Sequence, residues 1–521
     1  MRLRFEQRPE LPLLAWCARV ELGVSEVRVL HGAGVDTRED GFVEGVWNGP
    51  FEAFDFLDAS VQCGTGGSSR GGRLRFGGSS DQQSLIFSLA GPRALFVSNS
   101  ATFAMMAAGD EPDPLHPFYS YDLIAIWRAG LHCPDGRIPL RSGRTLGVHM
   151  RSILEVDGQG RVSFSERPTG PVPTDYASYH ALLLDAVRDV FRNGAAPGRS
   201  VRFEPLAAIS RGYDSTATAA LASQAGCREA ISFLDMQRRD PRDDSGAESA
   251  RRLGMTCHER DRWAHLAGDG SAEREAAFVV YTTAIVWHGA EDLLRGSVLV
   301  TGTLGELVWD KEHTAIVSDL ALPFARWPGS IGQMELRLRL GYACFALPYV
   351  AALHTQAVHR ITASDEMAPW RLGGRYDRPI PRRIAEEAGL PRDSFGVRKL
   401  GTAHVHLTER RRFSEKGWAD YRAFVARSHA EQPAHRRWAA RLSAAGRHGL
   451  WRTLSGYRRR HVPSTPRMRR HPFLWNGHPL ILPWSCMFTL QWSFDATRER
   501  YRAALAWASG GSAAGSTRVM R

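Results

Sequence analysis

Leu206-Ala207-Ala208-Ile209-Ser210-Arg211-Gly212-Tyr213-Asp214-Ser215 lies near the middle of the 521-residue chain, and the segments on either side are read from it. Its four leading apolar residues predict a short buried strand, the polar residues after them a tight turn, and the Ala-rich residues 216–224 a helix. A strand that turns through glycine into a helix N-terminus presents free backbone N–H groups and the positive end of the helix dipole. Ser210 and Ser215 add hydroxyl donors, and Asp214 adds a carboxylate suited to Mg²⁺, a cation that favours phosphate oxygens. These residue types in this order suit the phosphates of a nucleotide.

The segments around the turn repeat the same rhythm. Residues 176–192 carry apolar side chains at helical spacing and are closed by Pro197 and Gly198. Residues 230–234 predict the next parallel strand, and Asp243-Asp244-Ser245 caps a helix over 246–253 that Gly254 stops. Residues 297–300 predict another buried strand, left by the turn Thr301-Gly302-Thr303-Leu304-Gly305-Glu306. Strands alternating with helices predict a doubly wound parallel α/β sheet, whose ligands lie beyond the carboxyl ends of its strands.

The run S-R-G-Y-D-S at 210–215 resembles the S-G-G-x-D-S pyrophosphate loop (PP-loop) of the N-type ATP pyrophosphatases, and its surroundings resemble the asparagine synthetase branch. The resemblance implies that Ser210, Arg211, Gly212, Tyr213, Asp214 and Ser215 grip the β,γ-pyrophosphate of ATP. A substrate carboxylate then attacks the α-phosphorus, and an amine displaces AMP from the acyl-adenylate. Arg211 stands where the family has its first glycine. There it either pairs with pyrophosphate or crowds the backbone that must approach it.

By the same resemblance the backbone at the end of strand 230–234, near Phe233, holds adenine. The turn with Gly302 corresponds to S-G-E-G-A-D-E, whose acids share Mg²⁺ with the loop Asp. Here that turn is one residue shorter and keeps Glu306 alone, so Asp214 and Glu306 are the expected metal ligands. The competing reading of Glu306 is a helix cap. Further on, Tyr376-Asp377-Arg378-Pro379-Ile380-Pro381-Arg382-Arg383 and Phe395-Gly396-Val397-Arg398-Lys399 resemble the synthetase tail. That likeness implies Lys399 as the charge-stabilising lysine, with Arg378 and Arg382 binding phosphate or a substrate carboxylate.

Asparagine synthetases carry an N-terminal glutaminase of the Ntn type, whose first-residue cysteine is nucleophile and base. Residues 1–171 alternate apolar runs with Gly-rich turns and match that domain in layout only. Residue 2 is Arg2, and the first cysteine, Cys17, sits in an apolar run typical of a buried strand. A retired glutaminase-like β domain is expected, with an amine other than glutamine-derived ammonia. Cys63-Gly64-Thr65-Gly66-Gly67-Ser68-Ser69-Arg70-Gly71-Gly72 reads as a flexible loop.

Seven scattered cysteines without C-x-x-C or zinc spacing predict a reducing, cytoplasmic setting. No signal-type segment follows Met1, and no apolar run is long enough to span a bilayer, so no membrane partner is expected. Net charge is +12, and residues 401–521 hold 22 Lys/Arg against 6 Asp/Glu. Such a segment suits nucleic acid or another acidic partner, or is simply an arginine-rich surface. Arg-rich helices are predicted over 421–428, 436–444 and 451–460. Three units are therefore expected: the degenerate Ntn-type domain (1–171), the PP-loop ATP-binding domain (172–405) and a basic helical extension (406–521). The implied function is an AMP-forming ligase that joins a carboxylate to an amine with ATP and Mg²⁺. The alternatives are a tRNA-modifying enzyme that adenylates a base and a non-catalytic relic of the fold.

Overall fold

The structure, a computed structural model, describes residues 1–21, 23–81, 83–128, 136–236, 244–277, 285–309, 333–374, 376–396, 410–461, 474–475, 478–479 and 486–505. It is a mixed α/β protein. The first part holds β1 (Arg2–Gln7), β2 (Trp16–Glu21), β3 (Glu26–His31), β4 (Asp36–Arg38), β5 (Gly41–Trp47), β6 (Gln62–Arg70), β7 (Arg73–Gly77), β8 (Ile86–Ala90) and β9 (Ala94–Ser98). It continues through β10 (Gly136–Pro139), β11 (Thr145–His149), β12 (Ile153–Val156) and β13 (Val162–Ser165). These form a seven-stranded sheet in the order β1-β3-β2-β9-β8-β11-β10 and a six-stranded sheet in the order β13-β12-β7-β6-β5-β4. Trp16, Val29 and Val97 of the first sheet meet Phe42, Phe76 and Leu154 of the second in one apolar core, so the sheets stack face to face. Ala104, Met105 and Leu123, from helices Ala101–Ala107 and Tyr119–Arg128, pack against Phe87 and Val148 on the far side of the larger sheet.

The expected flexible loop at 63–72 is instead β6, an interior strand of the smaller sheet. Its glycines mark close packing. A Cβ on Gly64 would stand 2.0 Å from the Glu44 carbonyl oxygen, and one on Gly67 would stand 2.7 Å from the Phe76 ring. Aromatic rings and the neighbouring backbone fill the space that side chains would take. Only Gly71 and Gly72, with φ of +58° and +76°, make a turn, the tight hairpin into β7.

The second part is a parallel sheet of β14 (Glu204–Ala208), β15 (Glu229–Leu234), β16 (Thr256–Asp261), β17 (Ser297–Thr301) and β18 (Ala343–Ala346), ordered β16-β15-β14-β17-β18. Helices Tyr176–Gly194 and Tyr213–Gln224 pack their apolar faces on it. The apolar pattern over 334–349 predicts a helix followed by a chain running toward the site, and the helix spans Met334–Leu340. Gly341, at φ +76°, ends it in the left-handed conformation, and Ala343-Cys344-Phe345-Ala346 becomes a wholly buried edge strand. A four-residue apolar run has no periodicity by which a strand can be told from a helix.

The C-terminal segments complete cores laid down earlier. Helix Glu415–Ala430 is capped by Ser414, and its Tyr421 packs with Phe413 and Trp492. Tyr501 stacks on Phe103 with ring centroids 4.8 Å apart. The two basic helices read over 436–444 and 451–460 are one 28-residue helix, Ala434–His461.

The two parts are joined by a buried ion pair. Arg337, on the helix before β18, donates from Nη1 and Nη2 to the two oxygens of Glu44 in β5, at 2.6 and 2.7 Å. Thr65 Oγ1 donates to the same carboxylate at 2.7 Å, and Trp16 Nε1 donates to Thr65 Oγ1 at 2.7 Å. Burial pulls the Arg337 pKa down, but the Glu44 charge and hydrogen bonds outweigh it, and the group stands above its ordinary value. Breaking such a pair strands a buried charge, at a cost of about 3–5 kcal/mol, whereas replacing both partners by apolar groups is close to neutral. Arg337→Met is expected to lower stability by about that amount in chemical denaturation, and Glu44→Leu with Arg337→Met to recover most of it. Equal losses in the single and double variants would contradict the account.

Asp81, in the loop from β7 to β8, is a second buried charge at this junction. Its Oδ1 accepts from Ser79 Oγ at 2.6 Å and from the Gln83 N–H at 2.8 Å. Burial nevertheless pushes the carboxyl up to about 6 from 3.8. Between those values the folded state holds the proton and the unfolded state releases it. The stability from this group is therefore complete below the unfolded value and is lost as pH rises through the folded one. The stability of wild type relative to Asp81→Asn is expected to fall by up to about 3 kcal/mol from pH 4 to pH 7. Identical pH profiles in denaturant titrations of the two proteins would refute this.

Candidate functional site

From β14 the chain winds outward to β15 and β16, then returns past β14 to lay down β17 and β18. The carboxyl ends of β14 and β17 therefore flank a topological switch point, the position where open parallel sheets bind ligands. The turn at 210–215 leaves β14, the turn at 302–306 leaves β17, and they touch. A Cβ on Gly302 would lie 2.6 Å from the Asp214 carbonyl carbon, and one on Gly305 would lie 2.6 Å from the Asp214 carboxyl carbon. Leu304 between them has φ +74°, a conformation costing a non-glycine residue on the order of 1–2 kcal/mol. Glu306 follows in the first turn of the short helix Gly305–Val308.

The loop is held by its own polar groups. Ser210 and Ser215 hydroxyls lie 2.7 Å apart, and Ser210 Oγ accepts the Gly212 N–H at 3.1 Å. Thr216 Oγ1 sits 2.8 Å from the Ser210 carbonyl and 2.7 Å from that of Gly212. The Arg211 N–H donates to the Asp244 carbonyl at 3.3 Å, and the Gly396 N–H donates to the Arg211 carbonyl at 2.7 Å. Gly212 caps helix Tyr213–Gln224 without a side-chain hydrogen bond, and the Tyr376 hydroxyl accepts the Tyr213 N–H at 3.4 Å. The Arg211 side chain is half-buried, and among the described residues it has no carboxylate partner.

Ile384-Ala385-Glu386-Glu387-Ala388-Gly389 reads as a helix, but the helix runs Pro379–Glu387, five residues earlier and with Pro379 in its first turn, which places both expected arginines under or beside the loop. Arg378, at its N-cap, is buried and pairs with Asp214. Burial lowers the Arg378 pKa, but the Asp214 charge and hydrogen bond, with Tyr376 and Glu306, raise it above the ordinary value. Arg378 thus feels both expected metal ligands. Tyr376 is pushed up to about 12, first by burial and then by Asp214. Arg382 faces away from the loop surface. It donates to the Tyr213 hydroxyl, lies 3.2 Å from Glu386 Oε1 and is fully enclosed, so protein groups take up its guanidinium. Phe233 packs edge-on against Trp287, with centroids 4.9 Å apart, which leaves the strand-end backbone rather than the ring for any ligand. Lys399 lies outside the described residues.

Several contributors carry no signal in the chain. Tyr376 reaches the Tyr213 N–H at 3.4 Å, and a Cβ on Gly396 would stand 2.4 Å from the Tyr213 ring. Thr216 is the exception, since a hydroxyl residue one position into a predicted helix is a plausible partner for the preceding carbonyls.

Asp214 and Glu306, the expected metal ligands, stand on the two turns that meet, and the Asp214 carboxylate is already paired with Arg378. Among the described residues, the one cluster of three or more possible metal ligands is elsewhere, at Glu275, His288 and Glu291. Arg339 already pairs with both its carboxylates, at 2.9 and 2.6 Å, so it is an ion-pair network. Cys17 is buried within β2, where burial pushes its thiol far up and disfavours a thiolate. Neither a family model nor a curated protein sequence matches this chain.

The contact of Gly302 with the Asp214 backbone predicts that Gly302→Ala destabilises the protein by about 1–3 kcal/mol, as overpacking does. Gly158→Ala, where a Cβ meets nothing within 4 Å, is the matched control and is expected to be neutral or slightly stabilising. Urea titration of both variants decides the matter, and a neutral Gly302→Ala would contradict the close approach.

Proposed function

We propose that the chain is an AMP-forming, ATP-dependent ligase that activates a carboxylate as its adenylate and transfers the acyl group to an amine. The observation that carries this reading is the meeting of the turns at 210–215 and 302–306 at the switch point of the parallel sheet, around Asp214. Several parts of the geometry there suit a polyphosphate. The end of helix Tyr213–Gln224 offers N–H donors, Ser210 and Ser215 offer hydroxyls, and Arg211 adds a cation with no carboxylate of its own among the described residues.

Asp214 and Glu306 would hold Mg²⁺, which supplies charge neutralisation for the pyrophosphate leaving group. The carboxylate oxygen attacks the α-phosphorus and pyrophosphate departs; the amine nitrogen then attacks the acyl carbon, loses its proton, and AMP departs. Arg382 acts one step removed, as a prop that fixes Tyr213 and the first turn of the loop helix. Arg378 holds Asp214 in place until ATP and metal take over that carboxylate. The antiparallel sheets serve as scaffold. With Cys17 enclosed in β2 and its thiol held protonated by burial, the amine is assigned to a source other than glutamine.

The pairing of Arg378 with Asp214 also favours a second reading, a non-catalytic relic in which an internal cation has replaced the metal. One experiment separates the two. Calorimetry with Mg²⁺-ATP is expected to show binding by wild type and a loss of at least about tenfold in Asp214→Ala. Absence of binding in both proteins favours the relic. Where turnover is found with a carboxylate and an amine, AMP and pyrophosphate are the expected products, and ADP with phosphate would exclude the adenylation mechanism.

A further inference from the structure

Helix Ala434–His461 is a second feature with an unassigned use. It contains eight arginines and no acidic residue in 28 positions, and it is about 42 Å long at the ordinary helical rise. One face is anchored. Arg436 pairs with Asp113 at 2.9 Å, Arg447 lies 4.2 Å above the Phe118 ring, and Ala444 is buried. Ala440 and Ser443 line the same side, against the segment that holds Asp113 and Phe118. The opposite face points to solvent. Trp438, Leu442, Ala445 and Gly449 follow one another at helical spacing, and all are exposed.

Trp438 is 64% exposed, Leu442 66% and Leu450 57%, and no other described helix carries more than one such large apolar side chain in the open. Arg437 and Arg441 border the stripe. A surface helix ordinarily turns such residues inward, so an outward Trp and Leu one turn apart among arginines call for a covering partner.

We infer that this face seats on an anionic phospholipid surface, with Trp438 and Leu442 entering the headgroup–acyl boundary and Arg437 and Arg441 beside them meeting lipid phosphates. Charge and apolarity together select that partner. An arginine-rich helix with no acid is attracted to any polyanion, but an interface of headgroups and acyl chains buries Leu442 as well as Trp438. A nucleic acid backbone rewards the arginines, and an unpaired base could stack on Trp438, but neither gives Leu442 a partner. The helix is too polar to cross a bilayer, and no described helix qualifies as a span, so the mode is lying on the surface.

The test uses the full chain and co-sedimentation with vesicles. Binding is expected to mixed phosphatidylglycerol–phosphatidylcholine vesicles, and to be at least about tenfold weaker to phosphatidylcholine alone. Trp438→Ser with Leu442→Ser is expected to weaken partitioning to the anionic vesicles by about tenfold or more, with the circular dichroism spectrum unchanged. Trp438→Phe is expected to retain most of the binding. Arg437→Glu with Arg441→Glu is expected to abolish the preference for anionic lipid. Three results would overturn the inference: no vesicle binding at low salt, full binding by the Ser variants, or salt-sensitive binding of single-stranded RNA under conditions where vesicles stay unbound.

Discussion

The buried pair of Glu44 and Arg337 ties the architecture together. Two charges have been taken out of water, and the cost of doing so is met only where both forks of the guanidinium meet both carboxylate oxygens. That condition fixes the approach of β5 to the helix preceding β18. Around it the neighbouring groups have little freedom. Thr65, Trp16 and Asn99 all spend hydrogen bonds on Glu44 or on one another. Glycines line β5 and β6 because no side chain fits beside that backbone. Gly45 and Gly64 face each other there, each with a backbone oxygen about where its Cβ would be. The antiparallel sheets and the parallel sheet are thus registered by charge, not only by apolar contact.

The candidate site inherits this registration. β18 lies beside β17, and the turn that leaves β17 presses two glycines against Asp214. A carboxylate held so closely by backbone has few rotamers left, and its partner Arg378 is held in turn by burial and by the start of its own helix. Tyr213 is fastened from below by Arg382 and from the side by Gly396 and Phe395. Such a site is organised before any ligand arrives, which is the condition under which fixed dipoles and charges act most strongly on phosphate.

The strand–turn–helix at 204–224 was legible in the sequence because everything that makes it is local: an apolar run, a glycine, a hydroxyl-rich turn and an Ala-rich helix. The parallel arrangement followed from the repeat of that pattern, and the helix at Tyr176–Gly194 from its 3.6-residue spacing. What was not legible depends on distant partners. The glycines of β6 look like loop residues until Phe42 and Phe76 are seen lying over them. β18 is four residues long and carries no period. Arg382 and Arg378 are the same residue type four positions apart, yet one is a buried prop and the other meets Asp214. Only the direction of helix Pro379–Glu387 against the loop decides which is which. The partner of Arg337 lies 293 positions away, and no pattern in the chain announces it.

The stacking of Tyr501 on Phe103 has a consequence for the order of events during synthesis. Thr102 and Thr497, in the same contact, are 395 positions apart, so the helix Ala101–Ala107 leaves the ribosome long before its cover exists. At ordinary elongation rates that interval is about 20–80 seconds. For all of it the nascent amino-terminal sheets present an unfinished apolar surface, and until residue 337 emerges Glu44 also waits for its partner. Contacts this far apart also make final closure a slow, late step. Residues 486–505 therefore act as a fastener that is added when nearly everything else is in place. A transcript truncated there would release a protein with most of its sheets and none of its closure, a substrate for chaperones and proteases.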